Sequence, residues 1–351
     1  MFNKKISDRF IKYIYPLGDA TKSQENKAFP NSYKLLPYIH SKKIGWTHFG
    51  VMIPDLPAPH HFYSVMSIIG TAGALAFDTD HTLKDDPRNN ATVVVGTGTK
   101  KTSVFAGYSI PKECQFAEDG SHIQFGNDLT ITGQYPHYQL HSDNDNYQID
   151  LELKVTDKIT WFVKTPFYDH ISLLTEYSGT LQSDGQSQEI SGLCTFEHAA
   201  AVSPHLIWKK ALKQNLKLPL DFFTYQIINL ADGTQLLLND TRINGTHIVS
   251  KAYFRSLTQY NKTCTAEFKV IEYQEDLATA PDGKQMKLPQ VFEWRVYEGK
   301  QEILYLHCTM NTEFNYGLGS GYVGGYAYTG MHKNKEIQGQ GYIEYIDRME
   351  S

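Results

Sequence analysis

The sequence has few cysteines and no excess of positive charge. Four cysteines occur in 351 residues, far apart and without a CxxC pair, which excludes a zinc ribbon and a dense disulfide framework. Lysine and arginine total 33 against 38 acidic residues, giving a net charge of −5. A surface that binds phosphates needs a basic excess, so we expect no nucleic-acid partner.

Long apolar runs are also missing. The uncharged run at residues 62–77 contains serine, threonine and glycine and is shorter than the roughly 20 apolar residues that a membrane-spanning helix requires. The basic N-terminus lacks the apolar core of a secretory signal. We therefore expect no transmembrane segment and a cytoplasmic protein.

Helical periodicity is scarce, and short alternating runs of apolar and polar residues dominate. Residues 147–156 (YQIDLELKVT) place their aliphatic residues on one face and their charges on the other, as in a strand with one side in water. Two segments differ: residues 4–15, and residues 203–217, where Ser203 and Pro204 resemble a helix start and four lysines predict a solvated face. The sequence thus predicts an all-β fold with a short N-terminal helix and a helical connector.

A sequence motif occurs twice. Residues 177–197 and 328–344 share the template Y-[ST]-G, a turn, and E-I-x-G-x-x-[TY]-[FI]-E. The matching glycines Gly192 and Gly339 are 147 residues apart, which is long enough for one β-barrel between copies. The repeat predicts two tandem barrels or sandwiches.

Three stretches carry a family resemblance. Residues 192–198 (GLCTFEH) match a G-x-x-[YW]-x-[DE]-H motif except at Thr195, residues 221–238 form an aromatic strand with an Asp-Gly turn, and residues 339–344 read GQGYIE. From about residue 32 onward the chain resembles the AttH-like and hydroxyneurosporene synthase (carotenoid hydratase) family of tandem lipocalin-like proteins. The segments HFGVMIPDLPAPHHF and GYVGGYAYTG are similar to those of an uncharacterised bacterial branch of this family.

The resemblance implies four regions. These are an N-terminal helical extension (1–29), a first lipocalin-like β-barrel (30–202), a helical connector (203–217) and a second lipocalin-like β-barrel (218–351).

The resemblance also marks Glu197 as a catalytic acid, with His198 orienting it. A carboxyl held neutral in a dry cavity can protonate an alkene. Strand alternation places Glu197 on one face and Cys194, Phe196 and His198 on the other, so Glu197 faces either solvent or, if its sheet is covered on both sides, a cavity.

Several aromatic residues are candidates for lining a ligand pocket, although barrel core is the alternative interpretation for them. The candidate ligand-binding residues are Tyr225, Trp161, Trp294, Tyr342 and Glu344, the last of which matches Glu197 in the repeat. His137 and His141 share a strand face but fit no metal signature. We expect no metal ion and no cofactor.

Three functions remain open at this stage. The first is binding of a small apolar molecule, such as a lipid, an isoprenoid or a polyketide-like compound, in a barrel mouth or between the barrels. The alternative is a cofactor-free hydratase, cyclase or isomerase that acts on such a molecule with a buried carboxylic acid. A purely structural role is the third, and nothing in the sequence indicates the oligomeric state.

Overall fold

The computed structural model describes Arg9, residues 18–99 and residues 102–349. Strands make up 60% of the structure and helices 7%, which confirms the all-β prediction. The helices are α1 (Thr21–Gln24), α2 (Ile110–Glu113) and 3-10 turns at Asp80–Thr82, Pro87–Asn89, Pro204–Leu206 and Gln214–Leu216. None of the helices in the described part of the chain is long and apolar enough to cross a membrane. The N-terminal helix predicted at residues 4–15 lies, apart from Arg9, outside the described residues.

The first half forms one antiparallel sheet of eleven strands, which curls into a nearly closed barrel. Along the sheet the order is β4-β3-β2-β1-β11-β10-β9-β8-β7-β6-β5. The strands are β1 (Trp46–Ile53), β2 (Tyr63–Gly70), β3 (Asn90–Thr97), β4 (Val104–Ser109), β5 (Cys114–Phe116), β6 (His122–Phe125), β7 (Leu129–Gln134), β8 (His137–Asn144), β9 (Tyr147–Lys164), β10 (Tyr168–Ser183) and β11 (Gln186–Ala201).

The second half forms a closed eight-stranded barrel with one additional strand, β20. Pairing of β19 with β21 closes it, so the barrel has no unpaired edge. The strands are β12 (Leu220–Asn229), β13 (Gln235–Ile243), β14 (Thr246–Arg255), β15 (Lys262–Tyr273), β18 (Pro289–Glu298), β19 (Gln301–Met310), β20 (Asn315–Leu318), β21 (Gly321–His332) and β22 (Lys335–Asp347), with a separate hairpin of β16 (Ala278–Thr279) and β17 (Gln285–Met286).

The repeated motif forms the last hairpin of each sheet. Tyr177 lies opposite Gly192 across β10 and β11, and Tyr328 lies opposite Gly339 across β21 and β22. A Cβ added at Gly192 would be 3.3 Å from the Tyr177 ring, and one at Gly339 would be 2.7 Å from the Tyr328 hydroxyl. In both copies the tyrosine ring covers the backbone of a glycine, a pairing known to stabilise glycines in strands.

The first glycine of each motif, in its Y-[ST]-G part, lies against the neighbouring strand. A Cβ added at Gly179 would be 1.9 Å from the carbonyl oxygen of Asp150, and one at Gly330 would be 2.0 Å from that of Tyr305. Both obstacles are backbone atoms that cannot rotate away. The motif therefore requires glycine at these two positions.

Gly330→Ala is expected to destabilise the second barrel by about 1–3 kcal/mol, because the methyl group must displace a paired strand. Chemical denaturation measures the loss. The exposed Gln338→Ala in the same hairpin is the control, expected within about 0.5 kcal/mol of the wild type. Equal stabilities for the two variants would contradict the steric explanation.

The connector is not one continuous helix, as the sequence predicted, but two separate 3-10 turns. Tertiary contacts override the local pattern: the Asp80 carboxylate accepts a hydrogen bond from the backbone N–H of Leu212 (3.1 Å), and Leu218 joins Ala74 in a β-bridge. Lys217 is buried rather than solvated, whereas Lys209 and Lys213 are exposed as expected.

The two halves meet along a tightly packed seam. The apolar core of the second barrel continues into the first half through Met52, Phe62, Met66 and Phe162. The outer face of β1, β2 and β9 is therefore covered. The two sheets fall within residues 30–202 and 218–351, and the division of the chain into domains at those boundaries stays a prediction.

Candidate functional site

Two glutamates at matching repeat positions lie buried at the seam. Glu197 on β11 is paired with Gly50 and Ser172 in the neighbouring strands, and Glu344 on β22 is paired with Tyr225. The exposed fractions of Glu197 and Glu344 are 2% and 1%. Glutamate side chains are almost never buried to this extent unless they are paired. Because the second half covers this side of the first sheet, Glu197 faces a cavity and not solvent.

Glu197 has two partners. The hydroxyl of Tyr225 donates a hydrogen bond of 2.6 Å to Oε1, and His170 Nε2 lies 3.4 Å from Oε2. Burial alone raises the pKa of Glu197, but the proximity of His170 and the Tyr225 hydrogen bond together bring this pKa below its ordinary value. The surroundings of Glu197 therefore favour its ionised form.

Glu344 has a different environment. Among the described residues, its carboxyl has one hydrogen-bond partner, the Tyr342 hydroxyl at 3.1 Å. Burial, and next the negative charge of Glu197, raise the pKa of Glu344 well above its ordinary value. Two acids with pKa values driven apart are the pattern of an acid–base pair.

Two histidines complete the polar cluster. His48 Nδ1 donates to the carbonyl oxygen of Ser67 at 2.8 Å, and burial, followed by the influence of His170, lowers the pKa of His48 to about 4. His170 Nδ1 lies 3.0 Å from the Tyr168 hydroxyl. Within the described part of the chain, His48, His170 and Glu197 are the residues whose arrangement could hold a metal ion, with their ligand atoms all within 4.8 Å of one another.

These groups border a narrow cavity between the barrels. The volume open to the centre of a water molecule is about 20 Å³, which is enough for about one water. The cavity wall away from the acids is mostly apolar. It consists of Trp46, Met66, Ile68, Phe77, Tyr168, Ala199 and Phe223.

The structure brings together four of the seven predicted site residues: Glu197, Tyr225, Tyr342 and Glu344. The two tryptophans lie elsewhere. Trp161 packs in the core of the first sheet, and Trp294 packs against Phe268 in the core of the second barrel. Both tryptophans are therefore core residues, which agrees with the alternative interpretation that the aromatic residues belong to the barrel core.

His198 does not orient Glu197, contrary to the expectation. It lies on the opposite face of β11, where its Nε2 is 3.0 Å from the carbonyl oxygen of Leu36 and its ring meets the ring of Phe49 edge-on. Adjacent strand residues point to opposite faces, so neighbours in sequence cannot share this site. His170 and Tyr225 contact Glu197 instead.

Sequence reasoning missed His48 and His170. Both lie opposite Ala199, two residues beyond Glu197, one on each neighbouring strand. Their sequence separation carries no signal, since strand register alone brings them together. Ala199, two positions after Glu197, is the one feature of the local sequence that indicates room for other side chains beside the buried acid.

A larger groove of about 690 Å³ lies on the outer face of β7–β10. Its rim carries exposed His137, Glu152 and Lys154, and nearby His141 pairs with Asp150 at 2.7 Å. These charges are solvated and make ordinary surface contacts. The seam, and not this groove, holds the buried titratable groups that chemistry requires.

Fold and site together define a tandem lipocalin-like β-barrel protein with a buried acid pair between its barrels. The chain belongs to the family described as "Family of unknown function (DUF6670)", whose model matches residues 66–351.

Two solved structures share the fold. One is kievitone hydratase from Nectria haematococca, with a TM-score of 0.59 and 12% identity over 93% of this chain and 94% of that one. The other is an AttH candidate from Nitrosomonas europaea, with a TM-score of 0.56 and 12% identity over 96% of this chain and 97% of that one. The predicted resemblance to AttH-like proteins is confirmed as a likeness of fold, and no curated protein matches the chain.

Proposed function

We propose that the seam cavity binds a small, largely apolar molecule and that the Glu344 carboxyl transfers a proton to it. The reaction class is hydration, cyclisation or isomerisation of an alkene. The observation that carries the proposal is the position of Glu344: a buried carboxyl that lines a largely apolar cavity together with a second buried acid, Glu197.

The cost of burial favours catalysis over simple binding. Placing two carboxyls and two imidazoles in a dry seam costs several kcal/mol that an apolar ligand does not recover. Aromatic and aliphatic walls alone are sufficient to hold such a ligand. A binding protein without turnover is the second candidate, supported by the apolar walls of the cavity.

Glu344, and not Glu197, suits the role of proton donor. Its carboxyl has a single described hydrogen bond and its pKa is raised by burial, which favours the protonated form that a donor requires. The same cavity is lined by His48, His170 and Glu197, which offer acceptors for a water molecule in hydration or for the proton released in isomerisation.

A substrate enters only if the cavity widens, because the present space holds about one water. Trp46 packs against Phe77 and Tyr168 in the wall of the cavity. Rotation of these aromatic side chains would enlarge the space without moving a strand.

The experiment begins with the full chain purified from its own host, from which retained molecules are extracted and identified by mass spectrometry. Turnover of the identified molecule is then compared for the wild type and Glu344→Gln. We expect the variant to bind the molecule and to lose at least about 100-fold in turnover, since an amide cannot deliver a carboxylic proton.

Glu336→Gln is the matched control, because Glu336 lies on the same strand but is exposed. It should keep wild-type turnover. Full turnover by Glu344→Gln would remove Glu344 as the proton donor, and no turnover of the retained molecule by the wild type would leave the binding protein. Absence of any retained apolar molecule would contradict the proposal.

A further inference from the structure

We infer that His48, His170 and Glu197 form a binding site for a divalent first-row transition metal ion such as Zn²⁺. The inference goes beyond the proposed function, because it rests on ligand geometry and requires no turnover. It also departs from the sequence-based expectation of no metal, which rested on spacing along the chain.

The three side chains have the right donors in nearly the right places. Two imidazole nitrogens and one carboxylate are a recurring ligand set for zinc and for non-haem iron. Ligands bound at ~2.1 Å in a tetrahedral site are ~3.4 Å apart, and His170 Nε2 already lies 3.4 Å from Glu197 Oε2. The remaining separations are at most 4.8 Å, so side-chain movements that shorten them by up to ~1.4 Å complete the set.

Hydrogen bonds hold each candidate ligand by its other polar atom. A carbonyl only accepts, so the bond to Ser67 places the proton of neutral His48 on Nδ1 and leaves the Nε2 lone pair free. Tyr168 occupies Nδ1 of His170, and Tyr225 occupies Oε1 of Glu197. This outer layer of hydrogen bonds is characteristic of metal ligands.

A second observation concerns hydrogen-bond geometry. His170 Nε2 is buried, and its 3.4 Å contact with Glu197 Oε2 does not have the geometry of a hydrogen bond. Buried polar atoms without a partner are uncommon and call for an explanation. A metal ion bound between His170, His48 and Glu197 supplies the missing partner.

Gly50 provides room for the first ligand. A Cβ added there would lie 2.7 Å from His48 Nε2, while the backbone of Gly50 itself does not have the positive φ that demands glycine. An alanine at this position therefore displaces the imidazole without removing a ligand or straining the backbone. Gly50→Ala therefore tests whether metal binding depends on the position of the His48 imidazole, because His48 itself is still present in this variant.

Three protein ligands leave a coordination position open toward the cavity, which has room for one water. Catalytic zinc sites have this arrangement, whereas structural zinc sites use four protein ligands. The geometry thus points to an exchangeable ligand, water or substrate, on the ion.

The test uses the full-length chain stripped with a chelator and dialysed. Zn²⁺ stoichiometry is measured by equilibrium dialysis with elemental analysis, and Co²⁺ serves as a spectroscopic probe. We expect one equivalent of Zn²⁺ and a Co²⁺ spectrum of a four- or five-coordinate ion without a thiolate charge-transfer band. His48→Ala, Glu197→Gln and Gly50→Ala should each weaken Zn²⁺ binding by at least about tenfold.

His141→Ala is the control, since His141 forms an exposed pair with Asp150, and it should bind Zn²⁺ as the wild type does. Failure of the wild type to bind Zn²⁺, a thiolate band, or unchanged affinity in the ligand variants would overturn the inference. If a ligand variant fails to fold, the wild-type stoichiometry and Co²⁺ spectrum still decide. Turnover by metal-free protein tests the proposed function separately.

Discussion

Replacing Arg255 with alanine is expected to lower the free energy of unfolding by about 3–5 kcal/mol. Arg255 on β14 is 1% exposed and reaches from the second barrel into the first. Its guanidinium donates to the Ser172 carbonyl (2.6 Å), the Ser172 hydroxyl (2.9 Å) and the Thr160 hydroxyl (3.1 Å), and to Gln235 Oε1 in its own barrel (2.7 Å).

The size of the effect follows from what the alanine leaves behind. Burial lowers the pKa of Arg255 to about 10, so the side chain is charged at neutral pH. Its removal leaves buried acceptors unsatisfied and takes a positive charge from the surroundings of Glu197. Guanidinium denaturation of the full chain measures the loss.

Arg295→Ala is the matched control. Arg295 is a partly exposed arginine on β18 that pairs with Glu302 at 2.8 Å, and a pair of this kind contributes about 0–1 kcal/mol. Similar losses for the two arginine variants would contradict the role of Arg255 in joining the barrels.

Lys217→Met is expected to cost about 3 kcal/mol at pH 7. The buried ammonium of Lys217 lies 2.5 Å from Asp78 Oδ1 and 2.8 Å from Asp80 Oδ2. Removing it takes away the cation that the two carboxylates share, and within the described part of the chain Lys284, 3.0 Å from Asp78, is the ammonium that still pairs with Asp78. Breaking one side of a buried ion pair is strongly destabilising.

This loss depends on pH. Burial raises the pKa of Asp78. The hydrogen bonds from Lys217 and Gln214 and the positive charge of Lys217 outweigh this effect and lower the pKa of Asp78 below its ordinary value of 3.8. A carboxyl with a depressed native pKa stabilises the fold above the unfolded pKa and loses that contribution as pH falls. The difference between wild type and Lys217→Met should therefore shrink below about pH 4.

Denaturation at pH 7 and pH 3 checks the pH dependence, with exposed Lys213→Met as the control. A difference that grows toward low pH, or a Lys213 variant that loses as much stability as the Lys217 variant, would contradict the buried ion pair.

The fold could be predicted from the sequence because its signals are local. Alternation in residues such as 147–156 identifies strands, and the repeated tyrosine–glycine pairs of Tyr177 with Gly192 and Tyr328 with Gly339 are cross-strand contacts within a single hairpin. The same local analysis was wrong for the connector. There, Lys217 looked like a solvated residue, and its partners Asp78 and Asp80 are more than 130 positions away.

The site could be predicted only in part. The repeat marks Glu197 and Glu344, and Tyr225 follows from the aromatic strand that opens the second half. His48 and His170 join them through pairing of β1 and β10 with β11, which depends on tertiary structure. The prediction for His198 was wrong because proximity in sequence means opposite faces in a strand.

The central claim is that the seam between the barrels is the functional site. Its most direct test is a crystal structure of the full chain purified from its own host with the retained molecule bound. We predict density for an apolar molecule between Phe77 and Phe223, with one end toward Glu344. Density for that molecule inside either barrel, or in the outer groove beside His137, would contradict the claim.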